Sequence, residues 1–502
     1  MKTQIPSVDK GACVLKLGVS AIFVATLSAC ASFSGINSDK RMASPRQFET
    51  AQSLQAENGH WPDADWVDQF GDAQLKALLA EALKSNPTIA QAQARVAAAQ
   101  ASSESANANT LPHVDAGYSL TRQQYSSTAL VPPPIAGSWQ NENKGLLTAS
   151  YDLDLWGKNR EAFKAAVSQV QVNKADAEVV KLTLNTAIAR TYNQLARLYV
   201  LRDIAQQELA RREQIDRITA GRIAAGLDTE VEHKTAQANL ATSRASIAAL
   251  DGSILTTRYQ LAALLGAGPD RGLSIARPTL GIGDEVRLPN NLPADLVSRR
   301  PDIVAARWRI DVLTHEIKVA KAAFFPNINL FAAIGFNSLG FGQFLSAASQ
   351  TTSIGSAIHL PIFDGGELRA QLKGRYAEFD YAVSGYNQTL ISALAEVATQ
   401  LSQIRSSDAQ LAATQAAQQA AQSADALAAV QYKAGLTNQL TVLNADMNAL
   451  NADQTVANLK MNRRDQQIAL ASALGGGYVD TSAESPNRAE TSAQSTPVAA
   501  VR

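Results

Sequence analysis

The chain has 502 residues, enough for several domains, and its 45 Lys and Arg residues balance its 45 Asp and Glu residues. This balance gives no electrostatic case for nucleic-acid binding. No segment after residue 30 has the uninterrupted apolar run of a membrane-spanning helix.

The first 29 residues have the pattern of a secretory signal peptide. Three lysines precede or enter an apolar run over residues 17–27, and small residues follow it. Leu27-Ser28-Ala29-Cys30 also resembles a bacterial lipoprotein box, which implies a diacylglycerol and an N-palmitoyl group on Cys30. Ser32, two positions on, favours the outer membrane in that class. The alternative is a plain signal peptide with an incidental cysteine.

Residues 30–85 are predicted to form a lipidated N-terminal leader. Trp61, Trp66 and Phe70 would pin this leader against a surface, and a short amphipathic helix follows around residues 75–83. The sequence leaves open whether that surface belongs to the same domain or to a neighbour.

A first module, residues 86–266, is predicted to run helix, strand, strand, helix, helix. Its first helix ends at Pro112, because proline cannot continue a helix. Apolar and polar residues then alternate over 113–122 and 147–155, and a period of two indicates strands. Asp152 and Asp154 share the polar face of the second strand, where a pore lining is favoured over a catalytic pair.

A very long helix follows these strands. The chain is free of proline between Pro134 and Pro269 and rich in good helix formers. We predict one helix from Gly157 to Gly226, which at about 1.5 Å per residue would be roughly 100 Å long, and a shorter helix that returns to Gly266. A helix of this length predicts a coiled coil, a bundle or a tube.

The module repeats over residues 300–475, after a Gly- and Pro-rich connector at 267–299. The residues that would bound its elements recur at matching intervals, which indicates an internal two-fold repeat. A tail over 476–502, rich in Ser, Thr, Ala and Pro, is predicted to be disordered. The matching intervals are Pro87 to Pro112 and Pro301 to Pro326, Gly157 to Gly226 and Gly365 to Gly435, and Gly226 to Gly266 and Gly435 to Gly475.

Two modules supply four predicted strands, which could form one layer of a soluble sandwich or part of a membrane barrel. Four strands cannot close a membrane barrel, whose smallest known size is about eight strands. An open sheet in lipid would leave unpaired edges. Strands in a membrane would therefore require several chains to share one barrel.

Further motifs lie between residues 60 and 478. They are Tyr151–Gly157, Leu292–Leu296, Arg299–Asp302, Phe324–Pro326, Pro361–Gly366 and Tyr432–Thr437. Together with the repeat and the lipoprotein box, they resemble the outer-membrane efflux factors, with NodT/OprM-type lipoproteins as close relatives and TolC as a more distant one.

The resemblance implies a mainly α-helical chain with a membrane β-barrel. Three chains would form a TolC-like homotrimer, with four strands per chain in a shared 12-stranded barrel and a long α-helical barrel in the periplasm. The implied function is the exit duct of a tripartite efflux system, which passively conducts small molecules or drugs from a periplasmic adaptor and an inner-membrane pump of the resistance-nodulation-division (RND) class. A duct for secreted polypeptides and a coiled-coil structural or adhesive lipoprotein are the alternatives.

In this family the helix–helix turns at the periplasmic end form an iris, held by acidic residues and a tyrosine. The resemblance implies Asp228, Tyr432, Asn444 and Asp446 as candidates here. Asn444 stands where the family often has Asp, and Asp446 would point about 200° away on a helix. Two interpretations stay open: an iris held by amide hydrogen bonds, or Asp228 and Asp446 as solvated charges at the tip.

Motifs of common enzymes are missing from the sequence. There is no phosphate loop, no Gly-x-Ser-x-Gly and no Cys-x-x-Cys, and the five histidines show no metal-ligand spacing. We therefore predict that the chain is not an enzyme, and that it carries no metal and no cofactor beyond the lipid on Cys30.

Overall fold

The computed structural model describes residues 33–55, 57, 59–128, 131–281, 288–289 and 292–480. The predicted signal peptide, Cys30, part of the connector and the tail beyond residue 480 lie outside these residues. The chain divides into two compact units, each of which combines segments from both predicted modules. One unit comprises residues up to Arg41, Ala97–Val172 and Arg307–Gly385, and the other comprises Met42–Val96, Asn173–Ala306 and the chain from Tyr386.

The helices and strands follow the predicted order in both modules. Two short helices, at Pro269–Leu273 and Leu292–Arg299, lie in the connector. The elements are α1 (Ala73–Ser85), α2 (Pro87–Ala108), β1 (His113–Gln124), β2 (Trp139–Asp152), α3 (Lys158–Ala224), α4 (Glu230–Leu264), α5 (Pro269–Leu273), α6 (Leu292–Arg299), α7 (Pro301–Ala322), β3 (Asn327–Leu339), β4 (Gln350–His359), α8 (Glu367–Lys433) and α9 (Gln439–Ala473).

The lengths of the helices confirm the internal repeat. The long helices α3 and α8 each have 67 residues, and the returning helices α4 and α9 each have 35. The first helices of the modules, α2 and α7, each have 22 residues. Among the described residues, none of the helices is apolar over a length that would let it cross a membrane.

The two turns between long and returning helices have the same construction. Gly226 and Gly435 adopt φ angles of 71° and 77°, which favour glycine and end the long helices. The returning helices then begin at capping side chains, because their first N–H groups lack partners within the helix. Thr229 caps α4 by accepting a hydrogen bond from the N–H of Val231, and Asn438 caps α9 by accepting one from Thr441.

The four strands form one antiparallel sheet in the order β1-β2-β3-β4. The register confirms the predicted alternation, because it places most apolar residues of the four strands on one face, although Leu146, Phe331 and Leu339 lie on the other. Among the described residues, β1 and β4 are the edges of the sheet. The apolar face consists of Val114, Ala116, Tyr118, Leu120, Leu147, Ala149, Tyr151, Ile328, Leu330, Ala332, Ile334, Phe336, Ile354 and Ile358.

The structure corrects the prediction that Asp152 and Asp154 share one face of a strand. Strand β2 ends at Asp152, and the carboxylate of Asp154 accepts hydrogen bonds of 3.0 Å from the N–H groups of Asn159 and Arg160. It therefore caps α3, where an anion is favoured by the helix dipole. Asp364 caps α8 in the same way, and its bonds to the N–H groups of Leu368 and Gly366 lower its pKa.

The leader packs on its own chain, which settles the question left open above. Trp66 and Phe70 are buried in a core with Leu75 of α1 and Ile188 and Leu195 of α3. Aromatic side chains of this size contribute strongly to a core.

The ordered chain extends past the predicted limit of the second module. Residues 476–480, predicted as the start of a disordered tail, are packed: Asp480 is 6% exposed, and its N–H donates a 2.9 Å bond to the carbonyl of Ser298. Gly475 and Gly477, with φ angles of 95° and 83°, allow the close backbone approach that this packing needs.

Candidate functional site

The structure brings two of the four candidate residues into direct contact near the turns. The hydroxyl of Tyr432 donates a 2.7 Å hydrogen bond to Oδ2 of Asp228. Nε and Nη2 of Arg222 donate to the same carboxylate at 2.8 and 3.1 Å, and the guanidinium lies 4.7 Å from the centre of the Tyr432 ring. We call Arg222, Asp228 and Tyr432 the tip cluster. It connects the α3–α4 turn to the end of α8.

The tip cluster is largely shielded from solvent. Tyr432 is 1% exposed and packs with Ile215 of α3 and Val442 of α9. The Arg222 guanidinium, aided by the Tyr432 hydrogen bond, holds the pKa of Asp228 below its usual value. Burial raises the pKa of Tyr432, so the tyrosine remains a hydrogen-bond donor at neutral pH.

The other two candidates, Asn444 and Asp446, lie on opposite sides of α9, as their spacing predicts. Asn444 is exposed, whereas Asp446 is 1% exposed. Val442, Asp446 and Ala449 form the buried face, at helical spacing of four and three. Burial rules out the interpretation of Asp446 as a solvated charge, and the tip cluster rules it out for Asp228.

Asp446 belongs to a buried group of charged residues that sequence reasoning missed. Its oxygens lie 3.5 Å from Nε of Arg211 and 4.0 Å from Nε of Arg212, both on α3. Nη1 of Arg211 also donates a 3.0 Å bond to Asp425 of α8, and Arg212 pairs with Glu208. We call this group the buried charge cluster. Its members are Glu208, Arg211, Arg212, Asp425 and Asp446.

A weak signal for this cluster exists in the sequence. Glu208, Arg211 and Arg212 are spaced so that they share one face of α3. Such spacing also fits an exposed helix face, and nothing local indicates that Asp425 and Asp446, more than 200 residues away, cover it. Within the described part of the chain, no three His, Cys, Asp or Glu side chains come together in a way that could hold a metal ion.

Comparison with known proteins identifies the family. Residues 78–267 and 292–476 match the profile of the outer membrane efflux proteins. The chain belongs to this family. The two matching ranges fall separately on the two modules.

Individual relatives agree with this assignment. The chain is 35% identical over 378 residues to the fusaric acid resistance protein FusA of Burkholderia cepacia, covering 74% of this chain and 70% of FusA. It is 28% identical over 460 residues to the multidrug resistance outer membrane protein MdtP of Escherichia coli K12, covering 90% and 94%.

Solved structures show the same fold. The outer membrane protein VceC of Vibrio cholerae superposes with a TM-score of 0.78 at 33% identity, covering 83% of this chain and all of VceC. The outer-membrane channel OprN superposes with a TM-score of 0.79 at 26% identity, covering 89% and 99%. The predicted mainly α-helical, TolC-like fold, the efflux function and the outer-membrane location are thereby confirmed.

Proposed function

We propose that this efflux protein is the exit duct of a tripartite system. Three copies would form a homotrimer that passively conducts small molecules or drugs from a periplasmic adaptor and an inner-membrane RND pump to the exterior. The names of its relatives, which refer to multidrug and fusaric acid resistance, favour small molecules over secreted polypeptides.

The sheet is the observation that carries the proposed assembly. Its apolar face is exposed in a single chain, with Val114, Ile354 and Ile358 at 63%, 87% and 69% exposure. Such a face requires an apolar environment, but a sheet with open edges is not tolerated in lipid. Pairing β1 of one chain with β4 of the next removes both edges, and three chains would close a barrel of twelve strands.

The position of the N-terminal segment supports a lipid anchor on Cys30. The ring of Phe33 lies 5.2 Å from that of Phe324 and 6.2 Å from that of Phe325, directly before β3. Cys30 precedes Phe33 by three residues, and three residues of fully extended chain span at most about 11 Å from Phe33. A diacylglycerol and an N-palmitoyl group on Cys30 would start beside the strand ends, where they could enter the inner leaflet.

The tip cluster supports a closure at the C-terminal ends of α3 and α8. In the proposed duct, Arg222, Asp228 and Tyr432 hold the α3–α4 hairpin and the α8–α9 hairpin together. Asn444, exposed on α9, is the candidate that could line the aperture. Asp446 points into the chain and needs a different role.

The test is the mass of the purified protein in detergent, followed by single-channel recording in a planar bilayer. We expect a trimer that opens rarely and conducts weakly, because the tip cluster would keep the aperture closed. A monomer or dimer without conductance would overturn the shared barrel and with it the proposed duct.

A further inference from the structure

The buried charge cluster contains more negative than positive groups. Its three carboxylates face two guanidinium groups, and its members at the centre are almost inaccessible to water: Asp446 is 1% exposed and Glu208 is 3% exposed. An excess charge in such a place is strongly unfavourable, because burial removes the hydration of an ion.

The hydrogen bonds within the cluster leave its excess negative charge on Glu208 and Asp446. Among the described residues, both oxygens of Asp446 and Oε2 of Glu208 accept no hydrogen bond. Neither arginine donates a hydrogen bond to Asp446: Arg211 donates to Asp425, and Arg212 donates to Glu208 Oε1 and, at 3.2 Å, to the carbonyl of Asn239 on α4. Asp446 is buried beside Glu208 and accepts no hydrogen bond, although Arg211 and Arg212 lie 3.5 and 4.0 Å from its oxygens. A proton on Asp446 relieves the repulsion between the two carboxylates.

The groups that face the pair come from α3, α4 and α8. Helix α3 supplies Arg211 and Arg212, α8 supplies Asp425, and α4 supplies the Asn239 carbonyl. The charged groups of α4 on either side of Asn239 have partners outside the cluster: Arg244 pairs with Glu213, His233 lies 3.5 Å from Asp216, and Lys234 donates to Gln237. Burial, and then the neighbouring Glu208, raise the pKa of Asp446 to about 7, which agrees with a proton held near neutral pH.

We propose that Glu208 and Asp446 form a proton-binding site that couples the packing of α9 on α3 to pH. The site itself follows from the geometry, whereas its effect on conduction rests on the proposed duct function. While α9 packs on α3, the two carboxyl groups hold one proton. When α9 moves away, water reaches Asp446, its ordinary pKa of 3.8 returns and the proton is released.

The sign of the pH dependence follows from this release. Because the packed form holds a proton that the separated form does not, acid favours the packed, closed form and alkali favours opening. The equilibrium between the packed and separated forms depends on pH from the ordinary pKa of Asp, 3.8, up to about 7; we call this range the pH window. The tip cluster does not respond in the upper part of this window, because Arg222 keeps Asp228 ionised there.

Protonation of Asp446 is tested directly by infrared difference spectra of the whole protein in detergent, recorded between about pH 8.5 and about pH 5.5. We expect the carbonyl band of a protonated carboxylic acid, present in the wild type and missing in Asp446→Asn. Asp453→Asn is the matched control on the same helix, because Asp453 already accepts hydrogen bonds from Gln418 and Gln422. Glu208→Gln serves as a second variant, so that poor assembly of one variant does not decide the outcome.

The coupling is tested by open probability in planar bilayers over the same pH range. We expect opening of the wild type and of Asp453→Asn to increase with pH, by up to about tenfold per pH unit within the window for each chain that releases a proton. Asp446→Asn should stay at the low-pH level throughout, since an amide imitates the protonated acid.

The two readouts separate the possible failures. A wild type without the infrared band overturns the proton site, whatever the conductance. A band with pH-independent opening overturns the coupling. A protein that never conducts overturns the proposed duct function, while the spectra still decide about the proton.

Discussion

Replacing Tyr432 by Phe is the sharpest test of the tip cluster. The substitution removes one hydroxyl, whose 2.7 Å bond to Asp228 connects α8 to the α3–α4 turn. The Phe ring keeps the apolar contacts with Ile215 and Val442. It also keeps its place under the Arg222 guanidinium, so the change acts on the hydrogen bonds of the hydroxyl alone.

The magnitude follows from the type of bond. A hydrogen bond to a charged group contributes about 1.5–3 kcal/mol. The lower end applies here, because two bonds from Arg222 still satisfy the Asp228 carboxylate. About 1.4 kcal/mol corresponds to a factor of ten in an equilibrium constant, so the ratio of closed to open form should fall roughly tenfold per chain. Three chains opening together would multiply this effect.

The assay is open probability in a planar bilayer, with thermal stability of the assembled protein measured in parallel. Tyr259→Phe is the control, because Tyr259 lies on α4 with its side chain 38% exposed. We expect about tenfold or greater opening for Tyr432→Phe and no change for the control. If Tyr432→Phe opens no more often than Tyr259→Phe, the tip cluster does not hold the aperture closed.

Two further predictions concern Cys30 and the start of α3. Cys30→Ser should give a protein that incorporates no labelled palmitate, while Ser32→Ala should remain labelled; incorporation into the Cys30 variant would refute the lipid site. Asp154→Ala removes the cap of α3 and should cost about 0.5–2 kcal/mol of stability, seen as a lower midpoint of thermal unfolding. Asp115→Ala, at an exposed position of β1, is its control, and equal midpoints for the two variants would contradict the capping role.

The sequence by itself determined the elements and their repetition. The absence of proline and the glycines at 226 and 435 fixed the limits of the long helices, because only a residue that tolerates positive φ ends them in this way. Alternation of apolar and polar residues located the strands. This alternation did not predict the first half of β2, from Trp139 to Lys144, where most side chains are polar. That segment is a strand because its backbone pairs with β1.

Only the tertiary structure decided which residues form the site. Tyr432 and Asp228 are 204 residues apart and meet because α8 packs beside the α3–α4 turn. Asp446 is buried because its side of α9 packs on α3, whereas Asn444, two positions away, remains exposed. The helices carry alanine and other small residues on most sides, so their pattern does not tell which face will pack. The packing of distant segments decides which face is buried. It thereby also decides the pKa of the ionisable groups on that face, such as Asp446.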